Sequence, residues 1–336
     1  RYGHKASSGF VNAILRKVSP DDYLQLFDVK LPKAEMISKT QSMPLWIIQE
    51  LLENNTIEEV EEICKNLNLT PCVSIRVNNV KTTKKELEEI FNKNSIQYEE
   101  GELDDFLILN KAKNIENIEG FKEGLFTVQD ESAGLTCLVL NPKEGQMVLD
   151  ACSAPGGKTT YMAEIMKNTG NIIAWDVYEH RINLINENAN RLGLKNINTS
   201  INDASIYNEN YKEKFDKILL DVPCLGIGVI RRKPDIKWQR KQEDVYEISK
   251  LQYKILETCS KYLKPGGELV YSTCSILKKE NEDVILKFLE NNKDFEIKKL
   301  DSNKWNEYIK EEKYFSIKPD KKQDGFFICK LHKNNI

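Results

Sequence analysis

Hydrophobic and polar positions along the chain change their rhythm partway through its 336 residues. Near the start, Phe10, Val11, Ile14, Leu15 and Val18 recur at three- and four-residue spacing, which predicts a helix with an apolar stripe in need of a partner. Residues 44 to 67 read as helices: Pro44 suits a first helical position, and Thr56 with Glu59 forms a T-x-x-E capping box ahead of Val60, Ile63 and Cys64. In CVSIRVNN (72 to 79), Val73, Ile75 and Val77 alternate with polar residues, the signature of a half-buried strand. Thr83 with Glu86 caps a helix carrying Leu87, Ile90 and Phe91, and short strands are expected at 106 to 109 and 125 to 128. This first region reads as a small helical and α+β module.

From about residue 140 the pattern becomes strict alternation. The apolar runs MVLDA, NIIAWD, INTSI, FDKILLD and GELVYST are separated by loops or by helical patterns at 158 to 168, 179 to 192 and 243 to 263. Such alternation predicts a mostly parallel, doubly wound α/β sheet. A polar, Lys-rich stretch at 301 to 324 is expected to be a mobile connection. Ligands of doubly wound sheets bind at the carboxyl ends of the strands. There lie Asp150 and Cys152, Asp176, Asp203, Asp221 and Cys224, and Cys274, one group after each apolar run.

Composition narrows the picture. Apolar residues make up 40% of the chain and charged ones 30%, an ordinary globular balance, and no apolar stretch approaches the roughly 20 residues of a membrane span. A soluble, cytoplasmic, monomeric protein of about two domains is expected. Eight cysteines occur without a C-x-x-C pair and beside only three histidines, so neither a metal site nor a disulfide framework is expected. The net charge of -3 does not mark the whole chain as a nucleic-acid binder; such a role has to come from local patches. Because the chain opens Arg1-Tyr2 and its first apolar stripe lacks a partner, a preceding domain is expected to be missing.

The segment LDACSAPGGKTTY (149 to 161) resembles a phosphate-binding loop in which Cys152 replaces the first glycine. KILLD (217 to 221) supports that reading, since it resembles a strand ending in a magnesium-binding Asp. Pro155 opposes it, having no N–H inside the stretch whose amides would cradle phosphate. The rival is a nucleoside cofactor without a triphosphate. Asp176 lies twenty residues after Gly156, where an acid bonds ribose hydroxyls, and Asp203 is placed to reach an adenine amino group. S-adenosylmethionine needs only such ribose, adenine and methionine contacts.

Two cysteines, in LLDVPCLGIG (Cys224) and VYSTCSILKKEN (Cys274), follow buried strands at the same rim. Methyl transfer to carbon 5 of a pyrimidine explains a need for two: a thiolate adds to carbon 6, carbon 5 attacks the methyl group, and a second group assists release. Asp221 is placed to bond the edge of a cytosine flipped into the pocket. A basic loop, RRKPDIKWQRK, sets Arg231, Arg232, Lys233, Lys237, Arg240 and Lys241 around Trp238, where RNA phosphates and a stacked base fit.

With these segments, together with GFVNAILRKV, FTVQDESAG, AWDVYEHR and DGFFICKLHK, the chain resembles the Sun (RsmB-like) family of RNA cytosine-5 methyltransferases along nearly its whole length. The resemblance implies a Rossmann-like class I methyltransferase domain at 141–336, a helical and α+β RNA-binding or linker module at 19–140, and at 1–18 the remnant of a NusB-like RNA-binding domain. It implies an S-adenosylmethionine loop of Cys152, Ser153, Ala154, Pro155, Gly156, Gly157 and Lys158. Further cofactor contacts are implied at Asp176, Arg181, Asp203 and Asp221, with Cys274 as nucleophile and Cys224 for product release. The chain departs from the family at Leu225 and Ile227, where small polar residues are usual. Ribosomal RNA of the small subunit is the expected partner, with transfer RNA the nearest rival. A phosphate-loop NTPase and a non-catalytic RNA-binding scaffold remain alternatives at this point.

Overall fold

The computed structural model describes residues 5–19, 31–110, 114–300 and 305–335. The chain separates into two compact units, Arg1–Lys65 and Asn66–Ile336. The first holds helices α1 (Lys5–Leu15), α2 (Lys33–Thr40) and α3 (Leu45–Leu52) and most of α4 (Ile57–Asn66). Ile37, Met43, Ile47, Ile48, Leu51, Val60 and Ile63 are buried, whereas Phe10, Val11, Ile14 and Leu15 on α1, and Val18 just beyond it, are exposed. The Thr56–Glu59 capping box forms, each side chain bonding the other's backbone N–H. Pro44 caps α3 from one position outside rather than occupying its first turn.

The second unit opens with a four-stranded antiparallel sheet made from β1 (Val73–Val77), β2 (Tyr98–Glu100), β3 (Phe106–Leu109) and β4 (Phe126–Val128), in the order β2-β3-β1-β4. Helix α5 (Lys84–Lys93) packs on it through Leu87 and Phe91 and starts with the Thr83–Glu86 capping box read from the sequence. Helix α6 (Glu131–Leu140) then leads into the larger sheet.

That sheet contains β5 (Met147–Asp150), β6 (Asn171–Asp176), β7 (Ile197–Ile201), β8 (Phe215–Asp221) and β9 (Leu263–Thr273), all parallel, with α7 (Gly157–Ile165), α8 (Glu179–Leu192), α9 (Ile236–Gln239) and α10 (Gln242–Ser260) between them. After α11 (Glu282–Asn291) the strands β10 (Phe295–Ile297), β11 (Ile309–Lys310), β12 (Tyr314–Ile317) and β13 (Phe326–Lys333) add an antiparallel flank. Among the described residues the order is β11-β12-β13-β9-β8-β5-β6-β7, with β10 on β13. The stretch expected to be a mobile connection therefore holds β11 and β12, because Phe315 and Ile317 alternate inward and β12 pairs with β13. Residues 301–304 of that stretch lie outside the described set.

Alternation along each strand explains the two covered faces. Leu149, Leu220 and Tyr271 enter a core with Leu256 of α10 and Phe288 of α11. Their neighbours Val148, Leu219 and Val270 enter a second core with Leu135 of α6 and Met162 of α7. No helix of the described residues is long and apolar enough to cross a membrane.

Candidate active site

The strand order reverses between β5 and β8: β5, β6 and β7 run one way from that seam, β8 and β9 the other. A crevice opens at such a switch point, at the carboxyl ends of the strands. The ends in question carry Asp150, Asp176, Asp203, Asp221 and Cys274.

The loop after β5 is knitted to its neighbours rather than free. The Ala151 amide bonds Leu219 on β8, while the Ser153 amide and hydroxyl both donate to the Trp175 carbonyl on β6, at 2.8 and 2.7 Å. Gly156 turns the chain into α7 with φ of +100°, and a Cβ there would stand 3.2 Å from Ile185. Both facts favour glycine at this turn. From the other side Arg76 of β1, fully buried, bonds the Gly157 carbonyl at 2.9 Å, Thr160 at 3.1 Å and both carboxylate oxygens of Glu164, and also the Gln129 side chain. The antiparallel module thus reaches the base of the loop.

Lys158, whose partner the sequence left unnamed, spans the seam. Its Nζ lies 2.7 Å from Asp221 Oδ2. The other Asp221 oxygen accepts from the Ser272 hydroxyl at 2.9 Å, since β8 and β9 set Asp221 beside Ser272 in register. Burial works against the charge on Lys158, but the Asp221 carboxylate outweighs it and holds the ammonium above its usual range, with Cys274 acting in the same direction. This geometry counts against a phosphate-loop lysine, whose ammonium faces the nucleotide phosphates. Asp150 is pushed up to about 7, chiefly by burial, although the Thr159 hydroxyl donates to it at 2.7 Å.

Cys224 and Cys274 meet: their sulfurs are 2.9 Å apart. The hydrogen bond to Cys274, then burial, pushes the Cys224 thiol well above its ordinary value, and the Glu280 and Asp221 carboxylates act the same way. Either sulfur can donate in this contact, so the two thiols share one hydrogen bond. Cys274 also lies within electrostatic reach of the Lys158 ammonium. Leu225 and Ile227 are buried, so their side chains pack inward where polar residues were usual.

At the far end, Asp176 is nearly enclosed, paired with Arg181 at 3.2 Å and capping the Tyr178 amide at 3.2 Å. Arg181 is thus placed as a partner of Asp176. Asp203 is exposed and accepts from the Ser205 amide and hydroxyl. Exposed Val177, Tyr178 and Ile206 supply apolar surface from the same two turns.

The basic loop needs a correction. The Arg231 side chain is wholly buried, bonding Asp324 and the carbonyls of Asp320 and Lys322. Arg232 joins Asp324 and Asp130, and Lys237 is buried with its Nζ on Asn68. These three tie the loop to the interior, because Asp324 and Asp130 supply carboxylates that the local sequence does not reveal. Lys233, Arg240, Lys241 and Trp238 are the exposed members, Trp238 at 68%. Among the described residues no group of three or more His, Cys, Asp or Glu is arranged to hold a metal ion.

Sequence reasoning missed Ser272, Gln252 and Glu280. Glu280 stands within VYSTCSILKKEN, yet a charged residue next to two lysines reads as surface; its complete burial is a tertiary fact.

The profile of a family described as 16S rRNA methyltransferase RsmB/F matches residues 137–332, and that of a ferredoxin-like domain of RsmF/B-like methyltransferases matches residues 43–116. The chain is 35% identical over 336 residues to the probable ribosomal RNA small subunit methyltransferase B of Bacillus subtilis, covering 98% of this chain and 75% of that protein. It is 36% identical over 291 residues to ribosomal RNA small subunit methyltransferase B of Shewanella oneidensis, covering 86% and 67%. Among solved structures, that of PH0851 superposes with a TM-score of 0.84 at 32% identity, covering 91% of this chain and 70% of that one. A methyltransferase homologue from Pyrococcus horikoshii gives 0.78 at 31% identity, covering 90% and 99%.

Proposed function

The chain belongs to the RsmB/F family of 16S rRNA methyltransferases, and from that premise we propose that it methylates carbon 5 of a cytosine in small-subunit ribosomal RNA through a covalent bond to Cys274. S-adenosylmethionine is the cofactor, and it supplies the methyl group. The strand-end edge fits such a group in its donor chemistry: carboxylates at Asp176 and Asp203 for hydroxyl and amino groups, beside the exposed apolar surface of Val177, Tyr178 and Ile206. The turn from Cys152 to Lys158, with Asp176, Asp203 and Asp221, would hold it.

The observation that carries the reading is the pair of sulfurs 2.9 Å apart beside the Lys158–Asp221 pair. Carbon 5 of cytosine is a weak nucleophile until the ring gains electrons. The Cys274 sulfur adds to carbon 6, forming a C–S bond and making carbon 5 electron-rich. Asp221, oriented by Lys158 and Ser272, accepts from the exocyclic amino group of the base and so holds the ring in place over Cys274. Once carbon 5 has become methylated, its proton leaves to a base and the C–S electron pair returns to sulfur. Cys224 assists this second half, carrying a proton next to the departing Cys274 sulfur. RNA docks over Trp238, Arg240, Lys233 and Lys241, which are the members of the basic loop open to solvent.

The test uses small-subunit ribosomal RNA from cells lacking the protein, methyl-labelled S-adenosylmethionine and bisulfite sequencing. Label is expected at a single bisulfite-resistant cytosine, and Cys274→Ala is expected to reduce incorporation at least a thousandfold. Label on any atom other than carbon 5 of cytosine overturns the assignment.

A further inference from the structure

Glu280 is completely buried 56 residues after Cys224 and six after Cys274 in sequence, yet it touches both cysteine loops. One carboxylate oxygen accepts from the Leu225 amide at 2.9 Å and from Gln252 Nε2 at 3.0 Å. The other accepts from the Ser275 hydroxyl. Leu225 is the residue after Cys224 and Ser275 the residue after Cys274, so each loop is gripped one position beyond its sulfur.

Gln252, on α10, is also fully buried, and its amide nitrogen additionally donates to the Pro223 carbonyl at 3.0 Å, one residue before Cys224. The Glu280 backbone is itself fixed, its carbonyl accepting from the Tyr271 hydroxyl at 2.6 Å on β9. Asn281 extends the grip on the Cys274 side by bonding the Ser275 carbonyl at 3.0 Å. Burial raises the Glu280 carboxyl, while the donors from Ser275, Leu225 and Gln252 oppose the rise.

A carboxylate is a costly group to enclose, and an apolar side chain would pack the same space more cheaply. A carboxylate, with two acceptor oxygens and no donor, receives an amide from one loop on one oxygen and a hydroxyl from the other loop on the second. We infer that Glu280 is a positioning residue that holds the two cysteine loops in register through Leu225 and Ser275, with Gln252 bracing the Cys224 side. It acts through the two sulfurs rather than on RNA or cofactor. The inference rests on the proposed roles of Cys274 in bond formation and Cys224 in release.

Those two roles give the proposal separable readouts. Bond formation is measured as the rate of covalent capture on RNA carrying 5-fluorocytosine at the target, where the adduct cannot break down. Release is measured as the amount of adduct standing on unsubstituted RNA during turnover. Ser275→Ala, which loosens the Cys274 side, should slow capture about tenfold and leave no standing adduct. Gln252→Leu, which loosens the Cys224 side, should capture at the normal rate and raise the standing adduct several-fold. Glu280→Gln should slow both steps at least tenfold, with the dissociation constant for S-adenosylmethionine, read by calorimetry, unchanged within twofold.

Cys274→Ala and Cys224→Ala run as controls. If Cys274→Ala still captures RNA, the proposed function fails and takes this inference with it. If the controls behave as expected while Ser275→Ala and Gln252→Leu match wild type, or show equal losses in both steps, the inference alone is overturned. Weakening of cofactor binding that accounts for the loss in rate would likewise reduce Glu280 to a general structural role. Ser275→Ala and Gln252→Leu decide the matter should Glu280→Gln fail to fold.

Discussion

Asp150 ends β5 with one oxygen on the Thr159 hydroxyl and the other buried without a hydrogen-bond partner. Its carboxyl is raised to about 7 in the fold, chiefly by burial, against about 3.9 in an unfolded chain. Between those values the folded protein holds a proton that the unfolded one has released. Stability from this group is thus complete below about pH 4 and is lost as pH rises through about 7. Asp150→Asn cannot titrate, so thermal melts of the two cofactor-free proteins should diverge with pH. From pH 5 to pH 8 wild type is expected to lose ground relative to the variant; a constant difference would contradict the burial argument. Asp130, raised to about 6 by burial, is present in both proteins and cancels in the difference.

At the scale of elements, Arg76 ties β1 to α7 through Glu164, with both side chains enclosed. Removing one partner of a buried pair strands the other charge, which costs about 3–5 kcal/mol. Arg76→Met should lower stability by that order in denaturant unfolding, and Arg76→Met with Glu164→Met should recover most of it; additive losses would count against the pair. The central parallel strands were legible because strands covered on both faces read as unbroken apolar runs, as in KILLD and LVYST. Helix α6 was not legible. Leu135, Cys137 and Leu140 are buried together with Ser132, Gly134 and Thr136, so the helix carries no polar face to set a period. β11 and β12 were hidden in Lys-rich sequence, their inward residues reduced to Phe315, Ile317 and little else. The site divides in the same way. Cys224, Cys274, Asp221 and the loop at 152 to 158 follow from strand ends and local spelling, whereas Glu280 and Gln252, and the inward fate of Arg231 and Lys237, depend on residues far away in sequence.

Across the whole second unit, the strand order brings chemistry from 70 to 280 to one edge: the antiparallel module braces the loop at 152 to 158, the seam between β5 and β8 holds Lys158 against Asp221, and β9 delivers Cys274 to Cys224. With an overall charge of -3, the RNA docking proposed above has to rest on local exposed cations such as Lys233, Arg240 and Lys241. The sulfur that attacks carbon 6 decides the proposed chemistry. Cys224→Ala incubated with unmethylated small-subunit ribosomal RNA and S-adenosylmethionine should accumulate a protein–RNA adduct that survives denaturation. Nuclease and protease digestion followed by mass spectrometry should then place a methylated cytosine on the peptide that contains Cys274. A nucleotide on any other residue, or an enzyme that turns over normally without any adduct, would contradict it.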